Sequence, residues 1–266
     1  MLTAERYAID FASVLGSGAF GTVYKATDTA AEPPTAVACK VVKGNSLSEK
    51  ARRQLMQEVE LHGAISHPNV IKCFGAWNDV AKQNVCIFVE LAAGDLGALL
   101  LEETQSLSRL AIKFMHDLLS AVTHLHEQSI MHSDIKPTNL LLHFDGRLQL
   151  CDLGAAARVE SRGGRTTLVG SPAYHAPEVV AIGHLGLEPG GATYSYPADI
   201  WSAGVVLVEM LSGSLPFQAT PRDAVAQPER ICFRPPTLSP ASAFSTASRS
   251  LVLRLLTRMI SSTNSS

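Results

Sequence analysis

Cysteine is scarce in this sequence, and the few cysteines that it has are far apart. There are five, an odd number, in 266 residues, and no two of them form a Cys-x-x-Cys pair. Disulfide frameworks and structural zinc sites are usually marked by cysteines at short, regular spacings. We therefore expect neither disulfides nor zinc. We also expect a reducing compartment, with the cytoplasm favoured and the nucleus as the alternative.

Long apolar runs and an excess of charge are missing as well. Apolar stretches such as residues 204–211 are interrupted by charge and are too short to span a bilayer. Residues 1–10 contain no apolar core of the kind that a secretory signal needs. The formal net charge of -2 gives no case for a nucleic acid or an anionic membrane as a partner. With 46% hydrophobic and 17% charged residues, the composition indicates a soluble, folded protein.

The first third of the chain has the pattern of a small, mostly antiparallel β-sheet with one helix. Short segments that are rich in valine and aromatic residues, and bounded by Gly or Pro, predict strands. These segments are residues 7–15, 21–28, 35–43, 71–77 and 85–91. Residues 48–66 predict a helix, because their apolar side chains recur every three or four positions.

The pattern becomes mainly helical beyond about residue 90. Residues 108–128 predict a long amphipathic helix, and residues 198–212 predict a helix that is apolar nearly all round. A further helix is predicted at residues 248–260, and a polar tail follows it. We therefore predict an α+β protein with two lobes. Residues 7–90 form a small antiparallel β lobe with one helix, and residues 91–266 form a larger, mainly α-helical lobe.

Polar side chains of complementary chemistry gather around a predicted hairpin. The segment His-Ser-Asp-Ile-Lys-Pro-Thr-Asn contains Asp134, Lys136 and Asn139. Asp152 follows it across a hairpin with Asp145-Gly146 at the turn. Two carboxylates, an ammonium and an amide can accept a hydroxyl proton, hold divalent cations and offset phosphate charge. This combination predicts phosphoryl transfer from a nucleotide.

A glycine-rich turn at residues 16–21 supplies a second place for phosphates. Its Gly-x-Gly-x-x-Gly pattern lies between two predicted strands, which argues against a dinucleotide-binding fold, where a helix would follow. Glycine lets backbone N–H groups approach phosphate oxygens closely, although the same pattern also occurs in ordinary structural turns. The sequence alone leaves both interpretations open.

Lys40 is the candidate cation of the small lobe. Strand alternation places Ala38 and Lys40 on one face of a strand, where a small residue and a cation could contact the same ligand. A lone lysine on a strand is more often a solvated surface charge. The ligand interpretation is favoured here because Glu58, on the acidic helix that follows, could hold the ammonium in place.

Together these motifs resemble the eukaryotic protein kinase family, serine/threonine type, from about residue 9 to residue 259. The matching segments occur in the family's order, and they are 16–23, 37–40, Glu58 ahead of 67–69, 132–139, 152–154, 170–178 and 199–202. The Asp-x-Lys-Pro arrangement around Lys136 and the segment 170–174 are similar to serine/threonine-specific members. The resemblance implies a kinase that uses Mg-ATP and phosphorylates protein substrates.

The resemblance also assigns roles to residues at matching positions. Lys40 would contact the α- and β-phosphates and pair with Glu58. Asp134 would accept or orient the substrate hydroxyl, and Lys136 would touch the γ-phosphate, with Ser171 close to both. The magnesium ligands would be Asn139 and Asp152. The nucleotide would be bound by Leu15, Gly16, Ser17, Gly18, Ala19, Phe20, Gly21, Val23, Ala38, Lys40, Val89, Glu90, Ala92, Asp95 and Leu141.

Two of the chain's departures from the family bear on its activity and stability. Ser133 stands where many members carry an arginine that receives an activation-segment phosphate, a task that serine cannot perform. We therefore expect activity without a phosphate at Thr166 or Thr167, with Arg158 as a substitute partner.

The second departure follows residue 260, where the family continues with a final helix and an arginine that pairs with the glutamate matching Glu178. We expect Glu178 to be buried without that partner, at a cost of about 3–5 kcal/mol. A truncated chain, a divergent lobe and a lobe completed by a regulatory partner are the open explanations.

Two other functions fit parts of the sequence. A pseudokinase-like scaffold would bind nucleotide or partners without transferring phosphate, but the retained catalytic and metal-binding residues favour catalysis. A small-molecule kinase of similar fold is disfavoured by residues 170–178, which resemble a peptide-docking segment.

Overall fold

The structure is a computed structural model, and it describes residues 6–18, 21–43, 49–79, 84–102, 104–159, 164–183 and 193–217. The chain divides into two units. The first contains the residues up to Ala93 together with Leu142–Gly146, and the second contains Gly94–Leu141 and the residues from Arg147 onward. The predictions that lie outside the described residues are those for Ala19, Phe20, the helix at 248–260 and the tail at 261–266.

The first unit is a five-stranded antiparallel sheet with one helix, as predicted. Its elements are β1 (Tyr7–Gly18), β2 (Gly21–Asp28), β3 (Thr35–Lys43), α1 (Glu49–Gly63), β4 (Cys73–Asp79) and β5 (Asn84–Glu90). The strands lie in the order β1-β2-β3-β5-β4, and neighbouring strands are antiparallel. The predicted first strand ended at residue 15, but β1 continues to Gly18, because Gly16, Ser17 and Gly18 pair with the start of β2.

Both faces of this sheet are packed with apolar side chains. On one face, odd-numbered residues of β3 and even-numbered residues of β5 cluster around Phe88. The Tyr7 ring stacks on Phe88 with a centroid distance of 4.0 Å. On the other face, Val42 and Ile87 pack against Val59 of α1. The alternation of side chains along each strand therefore places α1 over the face that also carries the even-numbered residues of β3.

The second unit is mainly helical, as predicted. Its helices are α2 (Leu96–Glu102), α3 (Thr104–Glu127), α4 (Pro177–Gly183) and α5 (Pro197–Ser212). Short strands lie between them, namely β6 (Gly94–Asp95), β7 (Ile130–Met131), β8 (Leu140–Leu142), β9 (Leu148–Leu150) and β10 (Ala157–Arg158). The predicted hairpin joins β8 to β9, with Gly146 at a φ of +82°. The sequence did not predict α2 or α4, because each has only seven residues, too few to establish a helical period.

The core of the second unit lies between α3 and α5. Leu118, Val122 and Leu125 recur along α3 at spacings of four and three, and all are buried. α5 buries side chains on most of its circumference, including Trp201 and Val205, which explains its nearly uniform apolar sequence. None of the helices in the described ranges combines the length and the hydropathy needed to cross a lipid bilayer.

We predict that Leu125→Ala lowers the free energy of unfolding by about 2–5 kcal/mol. Leu125 is 0% exposed, so its truncation removes buried apolar atoms and leaves a cavity. The matched control is Leu101→Ala on α2, where the leucine is 89% exposed and the change should be within about 0.5 kcal/mol. Chemical denaturation of both variants measures the difference. Equal losses in the two variants would contradict the packing described for α3.

Candidate active site

Asp134 is the centre of a hydrogen-bonded cluster of side chains in the second unit. Lys136 Nζ donates to Asp134 Oδ2 at 2.8 Å, and Asn139 Nδ2 donates to the same oxygen at 3.1 Å. Ser171 Oγ donates to Asp134 Oδ1 at 2.8 Å and accepts from Lys136 Nζ at 2.9 Å. The structure thus brings together residues that the sequence placed in one site, and it places Ser171 between the carboxylate and the ammonium.

A proline turn shapes the loop that carries these groups. Pro137 begins a 3-10 turn, Pro137–Asn139, and the fixed φ of proline suits this first position. Asn139 N donates to Lys136 O at 2.9 Å, and Asn139 Nδ2 donates to the carbonyl oxygen of Asp134 at 2.8 Å. The buried Asn139 amide is therefore fixed against both the backbone and the carboxylate of Asp134.

The backbone before Asp134 is held by the buried carboxylate of Asp199, in the first turn of α5. Its oxygens accept from the N–H groups of His132 and Ser133, both at 2.8 Å, and His126 Nε2 lies 2.9 Å from Oδ2. Ser133 needs this support because its φ is +68°, a conformation that non-glycine residues rarely adopt. The sequence had identified Asp199 only as part of a matching segment. The available signal for its role was an acidic residue at the start of a buried helix.

Asp152 is tied to the same loop through its neighbour Cys151. Cys151 N donates to Asn139 O at 2.9 Å, and the Cys151 carbonyl oxygen lies 3.0 Å from His132 Nε2. Asp152 has a φ of +62°, and its Oδ1 accepts from Gly154 N at 3.3 Å at the start of a short 3-10 turn. The two predicted metal ligands, Asn139 and Asp152, are therefore carried by segments that hydrogen-bond to each other.

The donor atoms of these two residues suit a hard divalent cation. Asn139 uses its amide nitrogen for both bonds to Asp134, so its carbonyl oxygen is the atom that could bind a metal. Asp152 offers carboxylate oxygens, and magnesium prefers oxygen ligands from one or two carboxylates, with phosphate and water completing its shell. Within the described ranges, no group of three or more His, Cys, Asp or Glu side chains is arranged to hold a metal ion. The residues there fit an ion that is shared with a ligand better than a closed site built by protein alone.

The glycine-rich turn joins β1 to β2 in the first unit. Gly18 pairs with Gly21, whose φ is +142°. A side chain at Gly21 would overlap the backbone carbonyl of Val41, so packing alone requires glycine there. At Gly16 and Gly18 a Cβ would meet no described atom within 4 Å. Packing therefore does not explain these two glycines, which is compatible with a ligand that approaches the backbone.

One face of the sheet carries side chains that the resemblance assigned to nucleotide contact. The register pairs Val23 with Lys40 and Ala38 with Val89, and residues directly opposite each other point to the same side. Ala38 and Lys40 are two positions apart on β3, so all of these side chains share one face. Leu15 and Ser17 are exposed on β1.

Lys40 and Glu58 lie on the same side of the sheet. Val42 follows Lys40 by two residues and packs against Val59, so α1 covers the face to which Lys40 belongs. Glu58 precedes Val59 on that helix. Lys40 and Glu58 each take part in further interactions within the protein. Their pairing with each other stays a prediction.

The remaining predicted residues lie at or beyond the end of β5. Glu90 Oε1 is 3.4 Å from His143 Nε2, and His143 Nδ1 is 2.8 Å from Asp145 Oδ1. Asp95 Oδ1 accepts from Ala98 N at 2.9 Å and so caps the start of α2. This capping role was not predicted, although an Asp before an apolar helical segment is a known signal for it. Ala92 follows β5, and Leu141 lies on β8.

Two further glutamates are partly buried in the second unit. Tyr174 Oη donates to Glu209 Oε2 at 2.8 Å, and burial raises the pKa of Glu209. Glu178 Oε2 is buried without a hydrogen-bond partner among the described residues, and burial raises the pKa of Glu178 as well. An ionised carboxylate in such surroundings is costly, so each of these carboxyl groups loses its proton at a higher pH in the folded protein than in the unfolded chain.

A β unit with a glycine-rich first turn and a helical unit with the Asp134 cluster are features of the kinase fold. The chain belongs to the protein kinase domain family, whose model matches residues 9–265. The α+β fold with a β lobe and a mainly helical lobe, predicted from the sequence, is therefore confirmed.

Known kinases are similar to the chain over most of its length. Aurora kinase from Yarrowia lipolytica is 31% identical over 267 residues, covering 95% of the chain and 65% of that protein. Serine/threonine-protein kinase 10-A from Xenopus laevis is 34% identical over 239 residues, covering 87% of the chain and 24% of that protein. The cell cycle serine/threonine-protein kinase CDC5/MSD2 from Saccharomyces cerevisiae is 32% identical over 219 residues, covering 82% of the chain and 29% of that protein. The chain thus spans from 24% to 65% of the length of these relatives.

We predict that Glu178 makes the protein less stable as the pH rises above its ordinary pKa of 4.5. Because burial raises the pKa of Glu178, the folded protein keeps a proton that the unfolded chain has already lost. The free energy of unfolding therefore falls with rising pH until the folded-state pKa is passed. Denaturation midpoints measured between about pH 5 and about pH 8 should fall less in Glu178→Gln than in the wild type.

The control for this measurement is Glu60→Gln, which changes an exposed glutamate on α1. It should keep the pH dependence of the wild type. The same pH dependence in Glu178→Gln would show that the buried carboxylate does not hold an extra proton.

Proposed function

We propose that the protein is an active serine/threonine protein kinase, which transfers the γ-phosphoryl group of Mg-ATP to a hydroxyl of a protein substrate. The observation that carries this proposal is the hydrogen bond from Ser171 Oγ to Asp134 Oδ1, at 2.8 Å. A serine hydroxyl already donates to this carboxylate. This supports a role for Asp134 as the group that accepts the proton of a substrate hydroxyl.

Lys136 would offset negative charge on the phosphoryl group during transfer. Its ammonium contacts both Asp134 and Ser171, so a hydroxyl at the carboxylate lies within reach of the cation. Phosphoryl transfer needs little covalent help from the protein, so positioning and charge stabilisation supply most of the rate enhancement. A carboxylate and an ammonium at fixed separation meet both requirements.

Asn139 and Asp152 would hold magnesium, through the amide carbonyl oxygen and the carboxylate. When bound, such an ion neutralises phosphate charge and orients the phosphates. Asn139 Nδ2 donates to the Asp134 backbone at 2.8 Å, so the same amide links the proposed metal site to the proton acceptor. A small displacement of this amide would therefore affect both functions.

The first unit would supply contacts to the nucleotide. The backbone near Gly16 and Gly18 would approach the phosphates, since packing against the described residues explains neither glycine. Lys40 would contact the α- and β-phosphates and pair with Glu58, which lies on the helix covering the same face. The adenine ring would lie against the side chains of that sheet face, namely Val23, Ala38 and Val89.

Protein hydroxyls are the proposed substrates because the similar proteins are named serine/threonine kinases and because Lys136 stands in an Asp-x-Lys-Pro sequence. The cysteines are few and far apart in the sequence, with no Cys-x-x-Cys pair, which supports a location in the cytoplasm or the nucleus. A regulatory partner is proposed to cover the helix predicted at residues 248–260.

We predict that Asp134→Asn lowers kcat by about 10²–10⁴-fold. The amide cannot accept the hydroxyl proton, whereas the residues proposed to bind ATP are unchanged, so Mg-ATP affinity should be retained. Steady-state phosphotransfer and titration of Mg-ATP binding measure the two properties separately. The matched control is Asp28→Asn, which changes a carboxylate that pairs with Arg6 at 2.7 Å in the first unit and should leave turnover unchanged.

Two results would argue against these assignments. Wild-type turnover in Asp134→Asn would remove the proposed proton acceptor. Binding of Mg-ATP by the wild type without any phosphate transfer would instead favour a nucleotide-binding scaffold.

A further inference from the structure

The Arg165 side chain joins the loop of Asp134 to the turn that follows Asp152. Its Nη1 donates to Ser133 Oγ at 2.9 Å and also to the carbonyl oxygen of Ala155. Ser133 directly precedes Asp134, and Ala155 ends the 3-10 turn that Asp152 caps. One guanidinium therefore bridges the two segments that carry the carboxylates of the proposed site.

The backbone of Arg165 is itself anchored to the core of the second unit. Arg165 N donates to Tyr194 O at 2.8 Å, and Tyr194 N donates to Arg165 O at 3.0 Å. Tyr194 is buried in the apolar cluster that includes Trp201, and its hydroxyl donates to Thr167 O at 2.6 Å. The arginine is thus fixed at its Cα as well as at its head group.

The segment that carries Arg165 also contacts Ser133 at Gly170, near the C-terminal end of that segment. Gly170 has a φ of +92°, and a Cβ at this position would overlap the carbonyl oxygen of Ser133. The next residue, Ser171, belongs to the hydrogen-bonded cluster around the catalytic carboxylate. Ser133 is therefore held at its hydroxyl by Arg165, at its N–H by Asp199 and at its carbonyl by close packing.

We propose that Arg165 is a positioning residue, which holds Ser133 and the adjacent Asp134 in the arrangement for phosphoryl transfer without a phosphate on residues 164–170. The inference rests on the proposed function, and it names the residue that makes activity independent of such a phosphate. The sequence had suggested Arg158 for this task. Arg158 instead donates to Gln128 O at 3.2 Å.

The chemistry of arginine suits this position. A guanidinium is permanently charged and presents its N–H donors in a rigid plane, so one head group can hold two acceptors in a fixed geometry. Lysine keeps the charge but has no such plane. Thr166 and Thr167 are exposed beside Arg165, and a phosphate on either would attract the guanidinium away from Ser133. Phosphorylation there is therefore not expected to raise activity.

The test compares the variants Arg165→Ala and Arg165→Lys with the control variant Arg158→Ala. Arg158 is a suitable control because it is also an arginine, and it donates to the backbone carbonyl of Gln128 rather than to Ser133. Both Arg165 variants should lower kcat, by up to about 100-fold, because a displaced loop misplaces the proton acceptor. KM for ATP should be unchanged, since the residues proposed to contact the nucleotide are intact. Ser133→Ala should also lower kcat, and it should add little to Arg165→Ala, because the two residues act through one contact.

A second measurement does not depend on catalysis. Amide hydrogen exchange in peptides that cover residues 132–136 and 164–171 should be faster in both Arg165 variants than in Arg158→Ala. If the wild type transfers no phosphate at all, the proposed function fails, and this comparison still decides whether Arg165 holds the loop.

Phosphatase-treated wild-type protein should retain its activity. The inference is overturned if treatment abolishes activity and phosphate at Thr166 or Thr167 restores it. It is also overturned if both Arg165 variants keep wild-type kcat and wild-type exchange. Arg165→Lys and Ser133→Ala are smaller changes than Arg165→Ala. If Arg165→Ala does not fold, these two variants decide whether Arg165 is a positioning residue.

Discussion

The buried carboxylate of Asp199 is the group on which the arrangement of the Asp134 loop depends. Asp199 is only 1% exposed, and a buried charge is costly unless hydrogen bonds compensate for the water that it has lost. Compensation comes from the N–H groups of His132 and Ser133, with His126 beside them. These bonds hold Ser133 at a positive φ, and the chain then presents Asp134 to the side chains that surround it. The carboxylate that we propose as the proton acceptor is therefore positioned by a second carboxylate that has no proposed part in the chemistry.

Backbone strain is concentrated next to the carboxylates of the proposed site. Ser133, which precedes Asp134, and Asp152 itself both have a positive φ. Such conformations persist only where the surroundings determine them from several directions. Ser133 is held on three sides, by the carboxylate of Asp199, by the guanidinium of Arg165 and by the close approach of the chain at residue 170. Together these contacts fix the backbone that carries Asp134.

The sequence predicted the longer helices, the main sheet and the local motif, but not the two seven-residue helices or the contacts that support the motif. α3 and α5 are recognisable because a helix that packs against a core repeats its apolar side chains at a fixed period. Asp134 and Asn139 are close in sequence, and one short turn is enough to bring them together. The bonds from Arg165 and Asp199 to Ser133 join residues 32 and 66 positions apart, and no spacing rule encodes such pairs. They depend on how the helical unit packs as a whole.

The most direct test of the central claim is phosphate transfer from radiolabelled ATP to a generic protein substrate, measured for the wild type and Asp152→Ala side by side. We expect magnesium-dependent transfer by the wild type and its loss in the variant, because Asp152 supplies the carboxylate of the proposed metal site. Equal transfer by the two proteins, or no transfer by the wild type with magnesium present, would contradict the claim that the Asp134 cluster and Asp152 form a site for phosphoryl transfer.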